Sequence, residues 1–403
     1  MKLHGRLLLI PAHLLLIASV AFAAAPDYEI ELQTVTSGFD GKKCWVHARA
    51  GAIPPRAAGN DSDTPLVVMT MQLLRVDKSD VFSGLWDLRT TDLGRTWSKP
   101  VEQPGLRRDS PREGVDVVAC DFWPTWHAAS GKLLGTGATF AYSQEKDDHL
   151  KDEPGFTSYS VYDPAKQKWD NWRRLKMPDD KKFGFSRAGC SQRVDLPNGD
   201  ILLPIYFRTV NAKAHSATVL RCKFDGETLT YLEHGNEMTV PIQRGLVEPS
   251  LARVGDRFFL TLRNDEQGYV ATGTDGLHFD EPRPWKFDDG QPLGSYNTQA
   301  HWVTHGEQLF LVYTRRGAKN DHVFRHRAPL FMAEVDQEKM VVLRATERVL
   351  IPEQGAGLGN FGITQISPDE VWVISTEWMQ PETAVDHGSE NRVYAAKLRW
   401  PKR

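Results

Sequence analysis

The stretch from Asn198 to Phe207, NGDILLPIYF, sets a tight-turn pair in front of an almost unbroken apolar run. Asn-Gly supplies the positive φ that a two-residue hairpin needs, and a run rich in Ile, Leu and aromatic residues suits a strand covered on both faces. The same arrangement recurs at six places in the chain, roughly every 50 to 70 residues, the interval of a blade repeat. Asp63-Thr64 leads into Pro65 to Gln72 (PLVVMTMQ), Ser130-Gly131 into KLLGTGATF, Gly255-Asp256 into RFFLTLRN, Gly306-Glu307 into QLFLVYTRR, and Pro368-Asp369 into Glu370 to Trp378 (EVWVISTEW). Each copy reads as two adjacent antiparallel strands. Stacked radially, such sheets cover one another's faces, which predicts an all-β fold: a six-bladed β-propeller of four-stranded antiparallel blades, its innermost strands lining a central channel. A β-sandwich pair with accidental spacing is the competing arrangement.

The N-terminus reads as a secretory signal over residues 1–25. Lys2 and Arg6 precede the apolar stretch Leu7 to Val20, and Ala21-Phe22-Ala23 is a small-x-small cleavage site, with cleavage near 23–25. Pro11 and His13 make the stretch an imperfect membrane span, and no other run has the roughly 18 to 20 apolar residues that a spanning helix needs. The expectation is a secreted or periplasmic protein, monomeric, with residues 26–403 forming one propeller domain that adds core by repetition. Loss of Lys2 and Arg6 moves the formal charge from −3 to about −5, which argues against nucleic acid as a partner. Cys44, Cys120, Cys190 and Cys222 permit three disulfide pairings or four buried thiols, and their spacing matches no zinc pattern.

A second repeat lies between the first. Thr90-Thr91-Asp92-Leu93-Gly94-Arg95-Thr96-Trp97 has the form S/T-x-D-x-G-x-T-W, Gly273 to Phe279 is a shortened copy, and Tyr162-Asp163 followed by Trp169 reads as a worn third. In each, Asp and Gly can close a hydrogen-bonded turn while the following aromatic packs inward. This motif resembles the Asp box of the sialidase (neuraminidase) superfamily, whose catalytic domain is a six-bladed propeller. The box is a structural turn, so it speaks for fold far more than for function.

In a propeller the inner strand precedes each hairpin, and here those strands read CWVHARAGAIP, VACDFWPTWHA, AGCSQRVDL, GLVEPSLARV, GSYNTQAHWVTH and LGNFGITQIS. His47, Arg49, Asp121, Gln192, Arg193, Glu248, Tyr296, Asn297, Gln299 and Asn360 are too polar for a dry core and fit a wet channel mouth. The resemblance to sialidases implies roles for some of them. Glu248 and Arg263 stand across the Gly255-Asp256 turn at an interval similar to the family's catalytic Glu and carboxylate-binding Arg. Arg49, in HARAGAIP, falls where the family has its first Arg, and Arg327 resembles the third, with Arg325 and Arg316 as rivals. Three guanidiniums can each offer a fork of donors to one carboxylate. Asp80 lies where the family has its general acid, with Asp77 and Asp87 close by. His47, Gln192 and Arg193 complete the expected substrate contacts.

The resemblance departs in blade six, where Gly359-Asn360-Phe361-Gly362 sets Phe361 where the family has a nucleophilic Tyr. A phenyl ring cannot attack, so the alternatives are Tyr296 on the neighbouring strand, a water with Asp121 and Glu248 as the carboxylate pair, or a substrate-assisted route. The leading expectation is an exported exo-acting glycoside hydrolase that takes a terminal acidic sugar from a glycan, with no required cofactor and no metal site beyond an incidental calcium at a blade turn. Two alternatives stand beside it. One is a uronate lyase using a histidine base, with His47 favoured over His127, His301 and His322 because it shares a strand face with Arg49. The other is a glycan-binding propeller without catalysis.

Overall fold

A pleated strand points alternate side chains to opposite faces, so a sheet apolar on both faces has to be covered twice. A ring of sheets does this for every member. The computed structural model describes residues 27–179, 181–380 and 382–402, and the expected signal segment lies outside them. It contains six antiparallel sheets arranged as blades of a six-bladed propeller. Each expected hairpin joins two adjacent antiparallel strands of a blade: Lys43–Ile53 to Leu66–Arg75, Val115–His127 to Lys132–Ser143, Val194–Asp195 to Asp200–Arg208, Val247–Val254 to Arg257–Arg263, His301–His305 to Gln308–Tyr313, and Gly362–Ser367 to Glu370–Thr376. Three of the sheets have four strands and the others add short pieces. The outermost strand of blade six is the first described strand, Glu29–Ser37, which pairs with Arg392–Arg399 and closes the ring.

The core is divided into wedges between neighbouring blades. Ile201, Leu203, Ile205 and Phe207 pack toward blade two with Leu134 and Val161, whereas Leu202 faces blade four with Leu251 and Leu260. This alternation explains why DILLPIYF is apolar throughout. The same division holds around the ring: Trp302 and Trp285 fill the wedge between blades four and five, Phe310 and Val373 that between five and six, Trp372 and Met69 that between six and one, and Phe122 and Leu85 that between one and two.

The acidic turns behave as their chemistry requires. Asp92 accepts from the Thr96 amide (2.9 Å) and hydroxyl (2.7 Å), and these bonds hold its carboxyl near a pKa of about 2. Asp275 accepts from the Leu277 and His278 amides at 2.9 and 2.7 Å, and Phe279 is buried between blades three and four. All four cysteines are free and buried.

Two inner strands differ from expectation. AGCSQRVDL is not one strand: Phe185–Arg187 and Val194–Asp195 pair with Asp200–Arg208, and the residues between leave the ladder. In blade five only His301–His305 of the expected stretch is paired. Cys190 and Asn297 lie in these unpaired stretches with φ of 58° and 50°, a left-handed backbone that interrupts a regular ladder.

Asp87 is fully buried beside Arg89, 3.6 Å away, and burial raises its carboxyl to about 6 from 3.8. Between those values the native state holds a proton that the unfolded chain has released, so this residue makes stability fall as pH rises. Asp87→Asn should match the wild type at about pH 4 and exceed it by about 2 kcal/mol at about pH 7. Urea unfolding of both proteins at each pH checks this, and an equal difference at the two pH values refutes it.

Candidate functional site

The inner strands break their ladders at corresponding points, and the breaks build the site. In blades one, two and four the register slips between Val46 and Arg49, Cys120 and Trp123, and Val247 and Ser250. The slipped residues His47, Asp121 and Glu248 have φ of 58°, 50° and 45°, as Cys190 and Asn297 do in blades three and five. Non-glycine residues in this region cost about 1 kcal/mol each and cluster where function holds them. The effect is to turn these five side chains, with Asn360 of blade six, to one end of the axis. All six line one cleft of about 690 Å³.

Two residues further on, where pairing resumes in blades one, two and four, the side chains close the channel below, joined by Gln192 and Gln299 of blades three and five. Arg49 lies 5.8 Å from the Trp123 ring, the Ser250 hydroxyl meets His301 Nδ1 at 2.6 Å, and Gln299 donates to Asn360 at 3.1 Å. Gly362 is required here, because a Cβ on it would sit 2.7 Å from Arg49 Cγ. Gln192 belongs to this plug: its amide spans the Trp302 backbone at 3.0 and 2.9 Å. The Arg193 guanidinium is held by Asp195 and by the carbonyls of Leu134 and Thr125. Both residues border a small cavity of about 150 Å³ that shares no lining residue with the cleft, so the structure does not bring them to the cleft.

Two polar clusters occupy the mouth. In the first, Arg263 Nη1 donates to both Glu248 oxygens at 2.5 Å, and its Nη2 reaches Asn297 Oδ1 at 2.7 Å. Arg327 donates to the Asn297 carbonyl from the other side. The Nε of Arg263 and of Arg327 are buried without a partner. Burial and the neighbouring Arg263 and Arg325 guanidiniums push Arg327 down to about 9, still cationic at neutral pH. Arg325 joins the lining, whereas Arg316 stacks on Tyr296 at 3.9 Å outside it. The cleft wall carries seven Lys and Arg side chains against four carboxylates, so the mouth favours an anion.

In the second cluster, burial would raise the Asp121 carboxyl, but His47 Nε2 at 3.2 Å, Arg49 Nη1 at 3.7 Å and the Cys190 thiol at 3.0 Å hold it below the usual carboxylate range. Arg49 is fully buried beneath the cleft floor, its Nη2 on the Cys190 sulfur (3.0 Å) and its Nε on the Phe361 carbonyl (3.2 Å). It acts on the cleft through Asp121 and Cys190. His47 faces the cleft with Nε2 committed to Asp121, and burial lowers its pKa.

Of the three candidate acids, Asp80 lines the cleft, Asp77 is paired with Arg75 on the surface, and Asp87 is in the core. Tyr296 is outside the cleft lining and hydrogen-bonds His326 Nδ1 at 2.7 Å. Phe361 is fully buried against His301, and its neighbour Asn360 lines the cleft in its place. Of the four histidines singled out from sequence, His47 lines the cleft. His127 bonds Ser130 and the Gly199 carbonyl, His301 bonds Ser250, and His322 pairs with Glu353.

Sequence reasoning missed Arg187, Tyr206, Arg208, His149, His215 and Arg244, all in the cleft wall. They sit on loops and strand ends. One signal was present: Arg208 ends its apolar second strand as Arg263 ends its own.

No family model matches the chain, and no curated protein matches it by sequence. Solved structures share the fold. A protein of unknown function from Dyadobacter fermentans superposes with TM-score 0.62 at 14% identity, over 93% of this chain and 100% of that one. A Hadza microbial sialidase gives 0.59 at 13%, covering 88% of this chain and 66% of its own. A Trypanosoma rangeli sialidase in complex with sialic acid gives 0.57 at 12%, over 93% of this chain. This chain spans 59% of that sialidase's length. The chain therefore has the sialidase-like propeller fold.

Removing the Asp121 charge leaves Arg49 buried with no carboxylate. Asp121→Asn, which keeps a residue tolerant of the left-handed backbone, should lose about 3 kcal/mol of unfolding free energy, and adding Arg49→Met should restore much of it. Urea denaturation of the two variants reads this, and a loss below about 1 kcal/mol would show that the pair is not coupled to stability.

Proposed function

We propose that the protein is an exported exo-acting glycosidase that removes a terminal acidic sugar from glycans, with the sugar's carboxylate held by Arg263, Arg325 and Arg327. The observation that carries this reading is the unit Glu248, Arg263, Asn297 and Arg327 in the cleft lining, in which Arg327 bonds only the Asn297 carbonyl and has no carboxylate partner among the described residues. A guanidinium offers its remaining donors as a planar fork, which suits a carboxylate. The plugged axis supports exo action, since a cleft closed below accepts a chain end more readily than a chain interior.

In this reading Asp80, on the cleft rim, gives its proton to the leaving oxygen. Among the described residues blade six sends no tyrosine hydroxyl into the cleft, so water attacks the anomeric carbon as the glycosidic bond breaks, and a carboxylate takes its proton. Glu248 fills that part: Arg263 orients both of its oxygens, and a carboxylate has lone pairs to spare. Direct displacement by water inverts the anomeric centre.

A specific pair of groups favours one second reading, a uronate lyase. Burial lowers His215 to about 4, so it is neutral, and its Nδ1 contacts the Arg244 carbonyl at 3.3 Å. A carbonyl only accepts, so Nδ1 carries the proton and the Nε2 lone pair is left for a base. His215 would take the proton α to the carboxylate, the C4–O pair would leave with the aglycone, and the Tyr206 hydroxyl, whose ring is 5.6 Å from His215, would protonate it.

Release of the aryl alcohol from an aryl sialoside tests the hydrolase. The wild type should turn over with inversion, seen by proton NMR of the first product, and Glu248→Gln should lower kcat/KM by about 100-fold or more. A product absorbing in the near ultraviolet from a uronate glycan, together with no release from the sialoside, would replace hydrolysis by elimination.

A further inference from the structure

One pole of the cleft takes no part in holding that first carboxylate. Arg187, in the strand Phe185–Arg187, and Arg208, at the end of Asp200–Arg208, both line the cleft from blade three. The ladder pairs Phe185 with Arg208 and Arg187 with Tyr206, which sets the two guanidiniums about one ring. Arg208 lies 3.6 Å over the Phe185 ring, and Arg187 lies 5.8 Å from the same ring and 4.8 Å over Phe140. Gly155 makes room for the arrangement, because a Cβ there would fall 1.9 Å from Arg187 Nε.

Stacking fixes the planes of these cations but satisfies none of their N–H groups. Among the described residues the Arg187 side chain makes no hydrogen bond or ion pair, and its Nε is buried without a partner. Arg208 spends Nη1 on the Thr209, Val210 and Ala212 carbonyls of its own turn, which leaves Nε and Nη2. No described carboxylate lies within ion-pair distance of either, and Asp152, whose charge acts on Arg208, is exposed. Two like charges sharing one aromatic ring without a counter-ion repel each other. Arg263 and Arg244, by contrast, have Glu248 and Asp265. The blade-three pair is therefore, with Arg325 and Arg327, a cationic part of the wall that no described carboxylate neutralises.

We propose that the cleft takes a glycan with two anionic groups, the second being a sulfate ester or carboxylate gripped by Arg187 and Arg208. This rests on the reading of the cleft as an acidic-sugar site and deepens it, since it assigns the substrate class. The first anion sits at Arg263, Arg325 and Arg327, the second in the blade-three sector. Singly charged sugars occupy the first and leave the second unfilled.

Equilibrium binding to the full protein tests this with two ligand series. Sialyllactose is compared with its 6-O-sulfated form and with disialyllactose, and an unsulfated chondroitin disaccharide with its 6-sulfated form. At least one doubly charged ligand should bind ten-fold tighter than its singly charged parent, and whether the sulfated or the dicarboxylate ligand gains identifies the second anion. The Arg187→Ala/Arg208→Ala double variant should abolish that gain while changing the parent's affinity less than two-fold. Arg187→Lys/Arg208→Lys, which keeps the charge and loses the fork, should retain part of it and serves if the alanine variant does not fold. Equal affinity for parent and doubly charged ligands, or a gain that survives the arginine changes, overturns the second anion alone. Binding of none of the ligands overturns both the acidic-sugar reading and the second anion.

Discussion

Everything at the mouth of this propeller depends on the left-handed step in its inner strands. A regular strand at the axis would send its side chains alternately into the two flanking wedges, where polar groups would be desolvated without partners. The step at His47, Asp121, Cys190, Glu248 and Asn297 diverts one side chain to the open end in each of five blades. It also resets the face on which the next residues lie, so that Arg49, Trp123, Gln192, Ser250 and Gln299 form the plug beneath. The local backbone cost is carried by the apolar wedges, which fix each blade through its outer strands whatever the inner strand does.

The electrostatics follow from that geometry. Cations brought to one mouth need counter-charges, and the chain supplies them unevenly. Asp121 neutralises Arg49 below the floor, Glu248 engages Arg263, and Asp265 holds Arg244. Arg327 is bonded only to a neutral carbonyl, and Arg187 and Arg208 lean on aromatic rings. A permanently charged guanidinium cannot relieve its burial by losing a proton at neutral pH, so an incoming oxyanion is the remaining source of neutralisation.

The fold was legible because each blade writes its own turn and its own doubly buried strand, and the six hairpins fall at the expected turns. Family spacing and strand position together picked out Glu248 and Arg263, which form an ion pair in the cleft lining. The site was misjudged where strand membership alone was the guide. Gln192 and Arg193 belong to a stretch expected as an inner strand, but that stretch leaves the ladder after Arg187, and Gln192 bonds the Trp302 backbone in the plug. Tyr296 precedes the left-handed Asn297 on an unpaired stretch, and its hydroxyl bonds His326 outside the cleft lining. Phe361 faces the core because the outward position in blade six is its neighbour Asn360.

The sequence by itself determined the six-fold β-architecture, the acidic turns and the candidate polar strands, because hairpin chemistry and hydrophobic alternation are local. Tertiary structure alone decided which polar residues meet. A left-handed step is invisible in composition when Asp, Glu, His, Cys or Asn carries it. The walls drawn from strand ends and loops, with Arg187, Arg208, His215 and Tyr206, converge only after the ring closes through Glu29–Ser37.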